Sequence, residues 1–430
     1  MLKSALVRPP RPRTWFKRTF SKINTGSLRG SIMVALTTAL GTGLFTFHHL
    51  IKSTGLLFFF VIMILHALAY YFVSHVLSFV SEKNTDCNTL SQLVRKVLGV
   101  RWMWVFESFF VLYLFLTELA YMLTISHCVF INFRTQISSY FYQNRDVAFA
   151  EFNSLFIYVI AALLVPINLL NNMNKIRYAS IFSVAIILYI VVVASCQVYP
   201  FYQEARGESH NFSDFDLLGF FGNYGIALYS YGCLSNFYGV VNMVHNPSLK
   251  RLKKIYFRTF MFLMLLFIFF GTVTNYSLPD SKKDATDLFI FREGLKGQGD
   301  LLMLLGRMML VVALWISSVT SIYPLKLRFY NLVGNQGWVA NCFIVFVINS
   351  LAAFIASVFF NISDYINLFG QLFIIITIFD FPIAMGFRLG YFGGRWARVG
   401  IWGFLGVLNS VCVVSTVVSS IQFFGNGHSH

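Results

Sequence analysis

The stretch GSIMVALTTALGTGLFTFHHLIKSTG, residues 30–55, is an apolar run long enough to cross a bilayer, with two glycines near its middle. About 20 apolar residues cross the hydrocarbon core as a helix. Ten further apolar runs follow, so the chain is predicted to have eleven transmembrane spans. Spans 1 to 11 cover residues 30–51, 55–80, 102–132, 154–171, 176–199, 218–244, 255–275, 301–325, 337–360, 365–386 and 399–424.

The composition is that of a membrane protein. Of the 430 residues, 57% are hydrophobic and 12% are charged, about half the charge of a soluble domain. Because lipid cannot satisfy backbone groups, the spans must be helices or a closed barrel. The runs are too long for barrel strands and do not alternate in polarity. The predicted fold class is therefore an all-α polytopic membrane protein.

The basic residues predict the orientation of the chain. Of the 33 Lys and Arg residues, 24 lie in the N-terminal tail, the even-numbered connectors and the span ends that adjoin them, and eight lie in the odd-numbered connectors. The positive-inside rule then places the N-terminus on the basic side and the C-terminus on the opposite side. This topology and contact with anionic headgroups explain the net charge of +16, so a nucleic-acid partner is not expected.

Short motifs recur along the chain at the ends or centres of spans. They are Gly41-Thr42-Gly43-Leu44 with Gly55, Glu118-Leu119-Ala120-Tyr121, Asn246-Pro247-Ser248 with Lys250 and Arg251, Tyr323-Pro324-Leu325 with Arg328, and Asn361-Ile362-Ser363 with Gly370 and Phe381-Pro382. In their order and spacing, over residues 28–425, they resemble the amino-acid/auxin permease family. The resemblance implies a secondary transporter of amino acids, coupled to a proton or sodium gradient.

The resemblance also implies the leucine-transporter fold, with two inverted five-helix repeats and one extra helix. The corresponding segments are a basic tail (1–29), the first repeat (30–199), a polar connector (200–217), the second repeat (218–386), and the eleventh helix with the C-terminal tail (387–430). Transporters of this kind interrupt the first helix of each repeat near the bilayer midplane. Half-helix ends there can meet the charged groups of a substrate.

Candidate substrate contacts lie around the expected interruptions of spans 1 and 6. The expected contacts are Gly41, Thr42, Gly43, Ser230 and Asn236, with Tyr121 as a gate. Span 6 carries glycines at 225, 232 and 239, which either permit an interruption or only allow close helix packing. Both interpretations remain open at the level of sequence.

Ionisable residues inside spans are candidates for ion coupling because burying them is costly. Glu118 is either a proton-coupling carboxylate or the buried partner of one of three residues: Arg307, His66 or His127. Glu107 lies eleven residues earlier and therefore on nearly the same helix face. Arg307 is expected to snorkel to the interface, and Asp380 to lie near it.

Hydroxyl groups and histidines give weaker candidates. Ser317 and Thr320 could supply oxygens to a cation site, or could bond back to their own helix. His48 and His49 are expected to be solvated near the opposite side. No phosphate loop, nucleophile elbow or metal-spaced cluster occurs, and the six cysteines are scattered. Neither an enzyme nor a cofactor is predicted.

A second interpretation is a transporter-derived, non-transporting subunit of a large membrane assembly, such as a mitochondrial inner-membrane respiratory complex. Residues 1–29 carry eight basic residues and no acid, which is typical of mitochondrial targeting. His48 also stands at the proline position of the family. In a subunit, Phe45 and Phe47 would fill the central cavity. Against mitochondria, three glycosylation sequons at Asn211, Asn275 and Asn361 favour a plasma or vacuolar membrane.

Overall fold

The computed structural model describes residues 26–141, 149–170, 173–205, 208–283, 286, 288–292, 300–333, 337–358 and 362–426. Within these ranges the secondary structure is helical and no β-strand forms, so the all-α prediction is confirmed. The α-helices are Leu28–Ala39, Phe47–Lys83, Leu90–Leu98, Val100–Phe141, Phe149–Asn168, Met173–Cys196, Val198–Glu204, Leu217–Ser230, Phe237–Met243, Leu249–Ser277, Asp280–Lys283, Leu301–Val333, Trp338–Val358, Ile362–Ile374, Phe381–Arg388 and Arg395–Asn426. Short 3-10 segments cover Thr42–Thr46, Gly232–Asn236 and Phe289–Phe291, and a π-helical segment covers Ile375–Asp380.

Every predicted span coincides with helical structure. Nine helices in the described part of the chain are long and apolar enough to cross a membrane. Spans 1 and 2 meet inside Phe47–Lys83, where Gly55 adopts a φ of 71° that separates the two. The total of eleven crossings stays a prediction, because spans 1 and 6 are interrupted and do not form single long helices.

Spans 1 and 6 are interrupted where their glycines cluster. In span 1 the first helix ends at Ala39, and Gly41 has φ −124° and ψ −143° before the 3-10 segment Thr42–Thr46 begins. In span 6 the chain passes from a helix through Tyr231 into the 3-10 segment Gly232–Asn236. Such 3-10 segments inside a helix often mark functional hinges.

Span 2 supports span 6 through two buried tyrosines. The hydroxyl of Tyr70 donates to the carbonyl oxygen of Leu228 at 2.6 Å, and the hydroxyl of Tyr231 donates to that of Met63 at 3.0 Å. The two carbonyl groups belong to helices that face each other. Buried backbone groups need such partners in lipid, so these bonds hold the interrupted span 6 in place.

Candidate functional site

The interruption of span 1 lies against aromatic and hydroxyl side chains of spans 3 and 6. A Cβ atom on Gly41 would lie 2.8 Å from Cε1 of Tyr121. A Cβ atom on Gly43 would lie 2.9 Å from Cδ1 of Tyr229 and 3.0 Å from Oγ of Ser230. Both glycines are therefore required for spans 3 and 6 to approach the backbone of span 1.

Five of the six predicted substrate contacts come together at this interruption: Gly41, Thr42, Gly43, Tyr121 and Ser230. The hydroxyl of Thr42 is buried without a hydrogen-bond partner. The hydroxyl of Ser230 donates to the carbonyl of Ile226 at 2.7 Å. The sixth, Asn236, lies at the far end of the span 6 interruption, 3.5 Å from the hydroxyl of Thr38.

A small cavity adjoins this cluster on the other side of Tyr229. Span 3 contributes Tyr113 and Thr117 to its lining, and span 10 contributes Gly370. Sequence reasoning missed Tyr229 and Thr117. Their sequence positions could have indicated them, because Tyr229 is next to the predicted contact Ser230 and Thr117 lies about one turn before the predicted contact Tyr121.

Glu118 lies next to the interruption, one helical turn before Tyr121, and is fully buried. Its Oε1 atom accepts a hydrogen bond from the Ser318 hydroxyl at 2.5 Å and one from Nδ2 of Asn168 at 3.4 Å. Its Oε2 atom is buried without a partner. Among the described residues Glu118 forms no ion pair. The carboxyl group therefore joins spans 3, 4 and 8 through neutral donors.

None of the three partners considered for Glu118 occupies that role. His66 contacts the carbonyl of Ile62 and the hydroxyl of Tyr224. His127 stacks on Phe149, with ring centroids 4.0 Å apart. Arg307 donates from Nε to the carbonyl of Ile290 at 2.8 Å.

Two expectations about individual side chains, Arg307 and His48, were wrong. Arg307 does not snorkel outward, because it is 8% exposed and hydrogen-bonds inside the protein. His48 is fully buried and contacts the carbonyl of Thr286 at 2.5 Å, so it is not solvated. Asp380 accepts a hydrogen bond from Asn409 of span 11 at 3.0 Å, and its place near the interface stays a prediction.

The candidate cation ligands of span 8 bond to backbone carbonyl groups. Thr320 donates to the carbonyl of Ser317 at 2.7 Å. The Ser317 hydroxyl lies 3.1 Å from the carbonyl of Ala313 and 3.3 Å from that of Thr37 in span 1. Back-bonding accounts for Thr320, whereas Ser317 also reaches the interrupted helix.

A cleft enters from the basic side and reaches the span 6 interruption at Ser235 and Asn236. Glu107 of span 3 and Arg328, which follows span 8 on the same helix, both line this cleft and form an ion pair. The guanidinium of Arg328 also lies over the ring of Trp104, 5.0 Å from its centroid. The cleft is also lined by Asn88 to Ser91, in the connector between spans 2 and 3 that is predicted on the basic side.

The described part of the connector between spans 7 and 8 packs against the helices at the opposite end of the bundle. Its 3-10 segment Phe289–Phe291 inserts into the bundle, and Phe289 packs edge-on against Phe270, with centroids 5.4 Å apart. Phe45 packs against the same Phe270 at 5.8 Å. Phe47 contacts Phe267 at 5.2 Å. Phe45 and Phe47 therefore pack against span 7 and do not fill the space around Tyr121.

The sequons lie in structured surroundings. Nδ2 of Asn211 donates to the carbonyls of Lys52 at 2.7 Å and Asp214 at 2.9 Å. Asn275 is 1% exposed and accepts a hydrogen bond from Lys283. Asn361 and residues 1–25, which include most of the basic tail, lie outside the described residues.

Solved transporters share this architecture. The crystal structure of MhsT in complex with L-phenylalanine superposes with a TM-score of 0.58 and 14% identity, over 94% of this chain and 99% of that one. The manganese transporter of Eremococcus coleocola, crystallised with an aromatic bis-isothiourea substituted compound, gives a TM-score of 0.55 and 11% identity over 98% and 91%. At these identities the likeness shows the fold alone.

Sequence comparison identifies relatives. A Plasmodium falciparum (isolate 3D7) protein named as a candidate amino acid transporter, AAT1, is 24% identical over 279 residues, and its Plasmodium berghei (strain Anka) counterpart is 24% identical over 274. The matched region covers 63% of this chain but only 43% of either relative. The family model described as transmembrane amino acid transporter protein matches residues 24–424. The chain therefore belongs to the transmembrane amino acid transporter family and has the leucine-transporter fold.

Proposed function

We propose that the chain is a proton-coupled amino acid transporter in which Glu118 carries the proton. The observation that supports the proposal is the position of this carboxyl group. It is fully buried between spans 3, 4 and 8, has one unpartnered oxygen, and lies one turn from the tyrosine that contacts Gly41. An ionised carboxylate is expensive inside a membrane, so protonation is the simplest way to neutralise it.

The substrate would bind at the interruption of span 1. Backbone N–H groups at the start of the second half-helix, near Thr42 and Gly43, would attract its α-carboxylate, and carbonyl groups at the end of the first half-helix would accept from its amino group. Tyr121 would contact the substrate and lies on the same helix as Glu118. Binding and protonation would therefore influence each other through less than two turns of span 3.

Sodium coupling is a second candidate. Ser317 brings a hydroxyl within 3.3 Å of the carbonyl of Thr37, so span 8 and the interrupted span 1 place two oxygens side by side. Thr320 would complete that site only after releasing its bond to the helix. The proton is favoured because Glu118 already provides an unpartnered oxygen, whereas these hydroxyls are engaged.

The comparisons give no support to a mitochondrial location or to a structural subunit. The cleft on the basic side and the packed connector on the opposite side fit one state of an alternating-access cycle. We therefore prefer active transport to the subunit interpretation, and we infer that this conformation is closed toward the opposite side.

Uptake by the purified protein in proteoliposomes tests the proposal. Labelled amino acids are supplied under an imposed proton gradient, a sodium gradient, or neither. Glu118→Gln should abolish gradient-driven accumulation but leave exchange of internal for external substrate, because binding and opening persist when the carboxyl group is permanently neutral. Asp380→Asn, which removes another carboxylate within the spans, one that bonds to Asn409 of span 11, is the matched control.

The outcomes separate the alternatives. Accumulation driven only by sodium, and unaffected by Glu118→Gln, would favour the Ser317 site. Proton-driven accumulation that survives Glu118→Gln would refute the assigned role of Glu118. An absence of both uptake and exchange in a correctly folded wild-type sample would contradict transport itself.

A further inference from the structure

The connector between spans 7 and 8 and the start of span 8 each bury an arginine, and one hydrogen bond joins the two residues. Arg292 is 3% exposed and Arg307 is 8% exposed. Nη2 of Arg307 donates to the carbonyl oxygen of Arg292 at 3.4 Å. A buried charge is strongly unfavourable unless an opposite charge compensates it. Two such charges at one place need a counter-charge.

The contacts of Arg307 are all with neutral groups. Besides the carbonyls of Ile290 and Arg292, its Nη1 donates to Oδ1 of Asn132 at 3.1 Å. These bonds satisfy its donors but do not neutralise the charge. Arg307 therefore contributes an uncompensated positive potential to its surroundings.

Arg292 is held rigidly and has free donors. Its Nη2 donates to the side-chain oxygen of Gln197. Its guanidinium lies 3.7 Å from the ring centroid of Phe201 and 4.7 Å from that of Phe289. Nε and Nη1 are buried and have no hydrogen-bond partner. Two N–H groups of a fixed, buried cation are thus available to a ligand.

Among the described residues, the carboxylate of Asp300 is the one that acts on both arginines, and its Oδ1 atom already accepts two hydrogen bonds. Oδ1 of Asp300 accepts from Nε2 of Gln197 at 2.9 Å and from the backbone nitrogen of Met303 at 3.0 Å. Within the described ranges neither arginine forms an ion pair. Burial lowers the pKa of Arg292 to about 10, so its charge persists at neutral pH. Among the described residues, the two arginines and the single carboxylate of Asp300 leave an excess positive charge here.

We propose that this cluster is an anion site, in which Nε and Nη1 of Arg292 bind one small monovalent anion, either chloride or a carboxylate. Guanidinium groups recognise both through charge-assisted hydrogen bonds. Because Arg292 directly follows the 3-10 segment Phe289–Phe291, the bound anion would stabilise the packing of that segment in the bundle. This site is separate from the amino acid site proposed above and does not depend on it.

Thermal unfolding of the purified full-length protein tests the site. Sodium chloride, sodium acetate and sodium gluconate are titrated separately up to about 150 mM at matched ionic strength. Chloride, acetate or both should raise Tm saturably by about 3 °C relative to gluconate, the bulkiest of the three anions. The more effective of the two small anions identifies the ligand class. Equal Tm values in all three salts would overturn the proposal.

Two variants connect the response to Arg292. Arg292→Gln should lose the anion-dependent rise, whereas Lys282→Gln, which removes an exposed positive charge from the same connector, should keep it. If Arg292→Gln does not fold, Arg292→Lys preserves the charge while removing Nη1, and its anion response should be weakened. An undiminished response in either Arg292 variant would refute the assignment. The Tm readout requires no transport, so its failure would leave the Glu118 proposal untouched.

Discussion

Spans 6 and 10 approach each other at two glycines for which the structure predicts opposite effects of alanine. A Cβ atom on Gly225 would lie 2.5 Å from the backbone oxygen of Asn367 and 2.7 Å from its Cα. A Cβ atom on Gly370 would find its nearest neighbour, Cβ of Tyr229, at 3.6 Å. Gly225→Ala should therefore destabilise the protein, and Gly370→Ala should not.

The magnitude follows from the overlap. Ordinary contact begins near 3.4 Å, so the new methyl group of Gly225→Ala would overlap the backbone of Asn367 by about 0.9 Å. A backbone atom cannot rotate away, so the two helices must separate. Overpacking of this kind costs about 1–3 kcal/mol. Both glycines lie inside helices, where alanine gains about 0.5–1 kcal/mol. This gain cancels when the variants are compared, and their unfolding free energies should differ by about 1–3 kcal/mol.

Thermal unfolding in one detergent, followed by intrinsic fluorescence, measures the difference. Gly225→Ala should unfold several degrees below Gly370→Ala, and Gly370→Ala should match or exceed the wild type. If Gly225→Ala unfolds at or above the temperature of Gly370→Ala, spans 6 and 10 are not in backbone contact and the close packing assigned to Gly225 is wrong.

Two further predictions concern the surfaces of the transporter. Glu107→Gln should weaken the contact with Arg328 by about 1 kcal/mol and raise the rate of maleimide labelling of a Ser235→Cys reporter in the cleft about fivefold; an unchanged rate would mean that the ion pair does not restrict access. In an Asn361→Gln variant expressed in a secretory pathway, endoglycosidase treatment should leave the mass unchanged, because Asn211 is hydrogen-bonded to two carbonyls and Asn275 is buried. A mass shift that disappears in Asn211→Gln would contradict this expectation.

The interruptions of spans 1 and 6 could be predicted from sequence because only certain residue types tolerate them. Gly41 and Gly43 marked the first interruption, and Gly232 begins the second 3-10 segment. The row of glycines in span 6 has mixed roles, since Gly225 serves close packing whereas Gly232 lies in the interruption. The two interpretations of that row were therefore both partly correct.

The partners of polar residues could not be predicted. An apolar run gives the depth of a residue but not the neighbour that its helix face meets. Asn168, at the end of span 4, reaches Glu118 across 50 positions of sequence. Ser318 reaches the same carboxyl group across 200. Phe45 turned toward span 7 for the same reason: rotation about a helix axis is set by tertiary packing.

Span 8 connects the three polar regions of the molecule. Near one end Arg307 contacts the connector between spans 7 and 8, in the middle Ser318 bonds to Glu118, and near the other end Arg328 pairs with Glu107. At a rise of about 1.5 Å per residue, the 21 residues between the two arginines extend about 31 Å, close to the thickness of the hydrocarbon core. All three contacts are made by the single helix Leu301–Val333. A tilt of this helix about Ser318 would therefore move the contacts of Arg307 and Arg328 in opposite directions. In the proton coupling proposed above, protonation of Glu118 would change its bond to Ser318. It would therefore act at the point about which the helix tilts, and so couple the proton to alternating access.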